Sequence, residues 1–396
     1  MRFLTSGESH GKGLLGIMEG LPAGMALSVE TINLDLERRQ SGYGRGGRMK
    51  IETDTVEILS GVRHGETLGT PISFLIRNID YANWQDIMSA EPVASPEEKA
   101  VYRPRPGHAD LAGAMKYHHR DMRNVLERAS ARETAARVAA GSICKQLLGP
   151  FGICLYHQVL SIGSIVAQPF QAGSSNLPDL YQRVEASPLR CTDQQAEKEM
   201  MALIDDARRE GESLGGSFEV GALGVPPGLG SHTAWDRKLD ARISAALISI
   251  PAIKAVEIGD GFQAARLPGS EIHDQIYYHP ESGLYRQTNR AGGIEGGITN
   301  GETIRACAYM KPIPTLYKPL QSVNTRQWCE EKAQVERSDI CAVPAAAVVG
   351  EAMLALILAE AFLDKFSGDS WYEIQASLMR YRDYLKKEWQ WEKTSS

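Results

Sequence analysis

CAVPAAAVVGEAMLALILAEAF, residues 341–362, is the one stretch apolar enough to raise the question of a membrane span. It contains Pro344, Glu351 and Glu360, and two carboxylates at bilayer depth would cost several kcal/mol. The stretch is therefore predicted to form a helix, Pro344–Asp364, buried inside a soluble protein with polar punctuation. Further helical periodicity covers Val29–Arg39, Leu111–Tyr117, Arg123–Leu148, Gln194–Glu210, Arg237–Ser249 and Trp371–Leu385. Strand-like runs fall at Gly13–Met18, Thr55–Leu59, Ile72–Ile76, Ile153–Ile162, Phe218–Gly224, Ala255–Ile258 and Thr303–Tyr309. Helices and strands mix without regular βαβ alternation, so the expected class is α+β, a layered fold rather than a doubly wound sheet.

The chain has 396 residues, and at roughly 150 residues per domain it could hold two or three units. Glycine clusters recur from Gly7–Gly16 to Gly292–Gly301, which instead predicts a single large domain, residues 1–385, with glycine-rich ligand-facing loops. The segments Trp84–Ala100 and 165–200 read as surface excursions, and residues 386–396 as a loose tail. With 43% hydrophobic and 23% charged residues, the chain is not disordered, collagen-like or disulfide-stapled. Its net charge of -6 argues against a general nucleic-acid or anionic-membrane binder. Glu8, His10 and Lys12 interrupt any signal-peptide core. The six cysteines lack CxxC or paired spacing and read as reduced, which together point to a cytoplasmic protein.

Against this acidic background, arginines cluster. Arg38, Arg39, Arg45 and Arg48 alternate with Gly42, Gly44, Gly46 and Gly47. Glycine lets backbone amides approach an anion, and a guanidinium fork matches phosphate or carboxylate. Such a run suits a loop closing over a multiply anionic small molecule; an RGG-type RNA segment and a solvated charged loop remain open alternatives. RPRPGHAD (103–110) presents His108 on a proline-stiffened approach. In ERASARETAAR (127–137), Arg128 and Arg132 would share a helix face and Glu133 would pair with Arg137; an exposed salt-bridged helix is the alternative. His10 sits in a Gly-flanked turn, and Arg337 and Asp339 precede the apolar helix. No metal-ligand spacing, GxSxG or Walker A run is present.

Taken in order, GESHGKGLLGIMEGLP (7–22), RRQSGYGRGGRMKIE (38–52), RPRPGHADLAGAMKY (103–117), ERASARETAARVAAGSI (127–143), IPAIKAVEIGDGF (250–262), GGIEGGITNGE (292–302), KPIPTL (311–316) and ERSDICAVPAAAVVGEAML (336–354) closely resemble the chorismate synthase family over nearly the whole chain. The resemblance implies a carbon–oxygen lyase that converts 5-enolpyruvylshikimate 3-phosphate to chorismate and phosphate by an anti-1,4-elimination. It further implies a need for reduced FMN without net redox change, NADPH as a candidate reductant, a layered β-α-β sandwich and a homotetramer. His10 would protonate the departing phosphate, His108 would balance protons at the reduced flavin, and Asp339 would help remove the substrate hydrogen. Arg39, Arg45, Arg48, Arg132 and Arg337 would clamp phosphate and carboxylates, with Arg39 and Arg45 also tied to the nicotinamide phosphate. The flavin would lie against Arg128, Ala129, Ser130, Ala245, Ala246, Gly296, Lys311, Pro312, Ile313, Pro314, Thr315 and Arg337. Two departures bear on affinity: Ala245 stands where many relatives have Gln, and Arg290 where many have Asn. A flavin reductase using the same pocket for net electron transfer is the competing activity.

Overall fold

Ile72, Phe74 and Ile76 alternate with Ser73, Leu75 and Arg77, and all three members of the first set are fully buried. A period of two with one dry face is what a sheet packed on helices requires. The computed structural model describes residues 1–46, 53–95, 97–173, 175–281, 283–336 and 338–391. Along them run β1 (Arg2–Ser6), β2 (Gly13–Glu19), α1 (Val29–Gln40), β3 (Val56–Ser60), β4 (Ile72–Arg77), α2 (Asp110–Tyr117), α3 (Arg123–Leu126), α4 (Thr134–Leu148) and β5 (Cys154–Ile162). They are followed by β6 (Ile165–Val166), α5 (Leu177–Ala186), α6 (Gln194–Glu210), β7 (Gly216–Leu223), α7 (Leu239–Ile248), β8 (Ile253–Ile258), β9 (Ile304–Met310), α8 (Val343–Lys365) and α9 (Trp371–Trp389).

The first sheet has the order β1-β2-β4-β3, and a five-stranded sheet has the order β8-β9-β7-β5-β6. All these pairings are antiparallel. Helices α1 and α4 pack on the first sheet, while α8 packs on β5 and β7 and also against α4, α1 and α7. The result is the expected α+β layering, with helices between two sheets. Gly141 on α4 makes the helix crossing close, since a Cβ there would lie 2.4 Å from Ala352 Cβ on α8. The window of α8 apolar enough for a membrane is 78% buried inside the protein, as its two glutamates required.

Glu351 on α8 is 2% exposed and accepts hydrogen bonds from Lys145 Nζ at 2.7 Å, Arg38 Nη1 at 3.3 Å and His157 Nδ1. Burial opposes its charge, but Lys145, Arg38 and His157 outweigh it and hold its carboxyl well below the usual range. Burial also pushes the His157 imidazole down, so His157 serves as a neutral N–H donor and the two cations keep Glu351 ionised.

The structure corrects several sequence expectations. The predicted helix Arg123–Leu148 is broken between α3 and α4 by an extended Ser130, whose hydroxyl accepts from Arg132 N, and by a 3-10 turn at Ala131–Glu133. Arg128 and Arg132 therefore share no helix face, although Glu133 and Arg137 do pair at 2.9 Å. The 165–200 segment holds α5, whose Leu177, Leu180 and Val184 form a small core with Tyr156 and Leu223. Beyond Leu385, α9 continues to Trp389 and Trp391 bridges to Gly283; residues 392–396 lie outside the described ones.

Candidate active site

Loops from both sheets and the start of α8 enclose a cavity of about 650 Å³, a usual size for a small-molecule site. His10 reaches it from the β1–β2 loop, His108 from the loop before α2, and Asp339 from the segment before α8. Arg39, at the end of α1, Arg45, just after it, and Arg132, in the break before α4, line the same cavity. Arg38, from the same glycine–arginine run, turns inward to Asp35 and Glu351 instead. Arg48 and Arg337 lie outside the described residues.

Each histidine is held by a carboxylate. His10 Nδ1 lies 2.9 Å from Glu127 Oε1, and its ring stacks on Trp84 with centroids 4.0 Å apart. His108 Nδ1 lies 2.6 Å from Asp110 Oδ1. Asp110 is fully buried and is gripped by Arg105 through Nε at 2.8 Å and Nη2 at 3.0 Å. Arg105 Nη1 in turn donates to Thr315 Oγ1 at 2.9 Å. Burial opposes the charge of both carboxylates, yet bonds from His108 and Arg105 hold Asp110 well below the usual range. Bonds from His10 and Arg123 likewise lower the Glu127 carboxyl from its usual value.

A second anchor ties the arginines together. Asp54 accepts from Arg39 Nη2 at 2.7 Å and from Arg132 Nη1 at 2.6 Å. The two guanidiniums overcome its burial and keep it ionised. Arg132 Nε donates to Asn78 Oδ1 at 2.9 Å, and Asn78 Nδ2 donates to the carbonyls of Glu8 and Gly11 on either side of His10. The cation set and the His10 turn are therefore one hydrogen-bonded unit. At the rim, Arg45 Nη1 meets Asp339 Oδ2 at 2.6 Å and Gly46 N donates to Asp339 Oδ1 at 2.6 Å.

Small and apolar side chains also line the cavity, among them Ala129, Ala342, Ala345, Ala346, Ile250 and Pro314. Of the residues expected near a flavin, Ala129, Ser130, Lys311, Ile313, Pro314 and Thr315 line the cavity. Partial burial and the nearby Lys254 push the Lys311 ammonium down. Pro312 sits between two lining residues without lining the cavity itself. Arg128 turns away, donating to the Gly7 carbonyl at 3.0 Å and to Thr5 Oγ1 at 2.6 Å. Ala245 and Ala246 on α7, and Gly296 in a tight turn, fall outside the cavity of this chain. Sequence reasoning missed Asp54, Glu127, Asp110, Arg105 and Trp84 as site residues. Asp110 and Arg105 had a local signal, two positions after and three before His108; Asp54, Glu127 and Trp84 are recognisable as site residues only by partners distant in sequence.

The chain matches the family pattern "Chorismate synthase" over residues 1–363. It is 63% identical to the chorismate synthase of Syntrophomonas wolfei over 99% of each chain. To that of Symbiobacterium thermophilum it is 56% identical, over 98% of this chain and 99% of the relative. A crystal structure of chorismate synthase superposes with a TM-score of 0.78 at 46% identity, covering 97% of this chain and 98% of that one. Sequence identity at this level over full length, together with the shared fold, makes this chain a member of the chorismate synthase family.

Proposed function

We propose that the cavity carries out the family's elimination, taking phosphate from 5-enolpyruvylshikimate 3-phosphate to leave chorismate. The observation that carries this reading is the convergence of His10, His108 and Asp339 with Arg39, Arg45 and Arg132 on one cavity. A substrate with a phosphate and carboxylates matches a cationic wall in an otherwise acidic protein. In the elimination a ring C–H bond and an allylic C–O bond break on opposite faces. The C–H electron pair enters the new double-bond system, and the C–O pair leaves with phosphate. His10 holds the proton given to the departing phosphate oxygen, with the arginines stabilising the charge that develops there. Asp339 takes up the ring hydrogen as a proton, and release of its Oδ2 from Arg45 would raise its basicity for that step.

Reduced FMN is the proposed cofactor. The small side chains and arginines that line the cavity, and its volume of about 650 Å³, suit a planar ring bearing a phosphate. Ala129, Ser130, Lys311, Ile313, Pro314 and Thr315 would hold it, with His108 keeping a proton beside it. When bound, reduced flavin supplies electron density that favours phosphate departure without net redox change. NADPH is the proposed reductant, acting at Arg39 and Arg45. The chain is proposed to work in the cytoplasm as a homotetramer. Support for self-association comes from the outer face of the first sheet, where exposed Leu4 pairs with exposed Ile17 and exposed Leu15 pairs with Leu75.

Anaerobic turnover of 5-enolpyruvylshikimate 3-phosphate with reduced FMN, oxidised FMN or no flavin tests the reading. Chorismate should form only with reduced FMN, and equal turnover without flavin overturns the cofactor assignment.

A further inference from the structure

We propose that Glu127 is the positioning residue for His10, fixing the tautomer and orientation in which Nε2 is the nitrogen left for the cavity. This rests on the reading that His10 is the proton donor.

Glu127 is 3% exposed and gathers several donors at once. Its carboxylate accepts from His10 Nδ1 at 2.9 and 3.0 Å, from the His10 backbone N–H at 2.9 Å and from Arg123 Nη1 at 3.0 Å. Its own carbonyl accepts from Ser9 N at 2.9 Å. An ionised carboxylate has no proton to offer. The nitrogen facing Glu127 must therefore carry the hydrogen of their bond, so Nδ1 is protonated in both the neutral and the charged ring. The other ring nitrogen is thereby committed to the cavity, as in other sites where a carboxylate orients a working histidine.

The remaining freedom of the ring is rotation about its bond to Cβ, and Trp84 limits that by stacking on it at an interplanar angle of 24°. Trp84 is itself held, with Lys99 Nζ 4.0 Å and Arg123 5.0 Å from its ring centroid and its Nε1 donating to Asp80 Oδ2 at 3.3 Å. Glu336 lies 3.5 Å from Arg123. Glu127 caps the C-terminal end of α3, which brings its carboxylate beside a turn 117 residues away in the chain.

Selective 15N labelling of histidine, with the ring nitrogens read by long-range proton–nitrogen correlation, tests the proposal on the wild-type protein. Nδ1 of His10 should carry the proton; a neutral ring protonated only at Nε2 overturns the assignment whatever the variants do. In kinetics, Glu127→Gln should lower kcat by about 10–100-fold, the range for losing the partner that orients a functional histidine, with KM within about threefold of wild type. The same substitution placed on His10→Ala should cost nothing further in kcat, because the ring it positions is gone. An equal loss in both backgrounds would mean Glu127 only supports the fold and would overturn the proposal. Wild-type kcat in Glu127→Gln together with an inactive His10→Ala would defeat the positioning role alone. Wild-type kcat in His10→Ala would defeat the underlying reading instead. Should Glu127→Gln fold poorly, Glu127→Asp keeps the charge on a shorter reach and should show the same dependence on His10.

Discussion

Arg45 and Asp339 are 2.6 Å apart, nitrogen to oxygen, and the neighbouring Gly46 N–H occupies the second carboxylate oxygen at the same distance. The carboxylate proposed to accept the substrate hydrogen is thus engaged by the loop that carries one of the proposed anion clamps. A substrate phosphate or carboxylate drawing Arg45 to itself would free Asp339 Oδ2 in the same movement, coupling anion binding to exposure of one oxygen of the base while Gly46 N–H still holds the other. Arg45→Ala should therefore raise KM for the substrate by about tenfold, the worth of one charge-assisted hydrogen bond. Its melting temperature should stay close to wild type, and steady-state kinetics with an unchanged KM would remove Arg45 from the site.

The paired histidines make separable predictions. His10→Ala and His108→Ala should each lower turnover by about 10²–10⁴-fold, the scale of a positioned proton donor, while remaining folded. Asp110→Ala should behave differently. It strands the Arg105 guanidinium, which is 8% exposed, and breaking such a buried pair costs about 3–5 kcal/mol. Denaturant melts should rank Asp110→Ala well below His108→Ala in stability; the reverse order would mean that Arg105 finds another partner.

Glu351 is expected to matter for stability and not for chemistry. Glu351→Ala leaves Asp35 as the one carboxylate shared by Lys145 and Arg38 and takes the acceptor from the buried His157 Nδ1, at a cost of about 1–3 kcal/mol for the unsatisfied buried donor. The acid limb of stability follows from the same ion pairs. Glu351, Asp54 and Glu127 all have folded carboxyl values below their ordinary ones. The unfolded chain therefore binds protons first as the pH drops. The stabilisation is fully present above the unfolded values, about pH 4, and is lost as pH falls from there through the lower folded values. Urea midpoints measured from pH 7 down to pH 3 should fall over that acid range, and more gently in Glu351→Gln. A flat profile would contradict the ion-pair account.

Gly141 is the tightest point of the helical layer. A methyl group there would meet Ala352 at 2.4 Å from its Cβ and 2.5 Å from its Cα, and backbone atoms cannot swing aside as a side chain can. Gly141→Ala should cost about 1–3 kcal/mol through overpacking, despite the better helix propensity of alanine. A melting temperature equal to or above wild type would show that α4 and α8 sit further apart than described.

Local pattern made much of this protein readable from its sequence. Two glutamates in an apolar run placed α8 inside the protein, and periods of two and 3.6 located most long strands and helices, because both signals report which face of an element is dry. The arginine clusters stood out by composition against an acidic chain, whereas the histidines and the aspartate were grouped with them only through the resemblance of collinear motifs to the chorismate synthase family. What decides the chemistry of those residues lies elsewhere. Glu127 beside His10, Asp54 between Arg39 and Arg132, and Glu351 beside His157 join positions 117, 15, 78 and 194 residues apart. No periodicity encodes such pairs, because a charge buried far from its sequence neighbours is stabilised only by what the packed layers bring against it. The break at Ser130 has the same origin. Local propensity favoured one continuous helix, and the buried bonds of Arg132 to Asp54 and Asn78, formed only in the folded chain, oppose it.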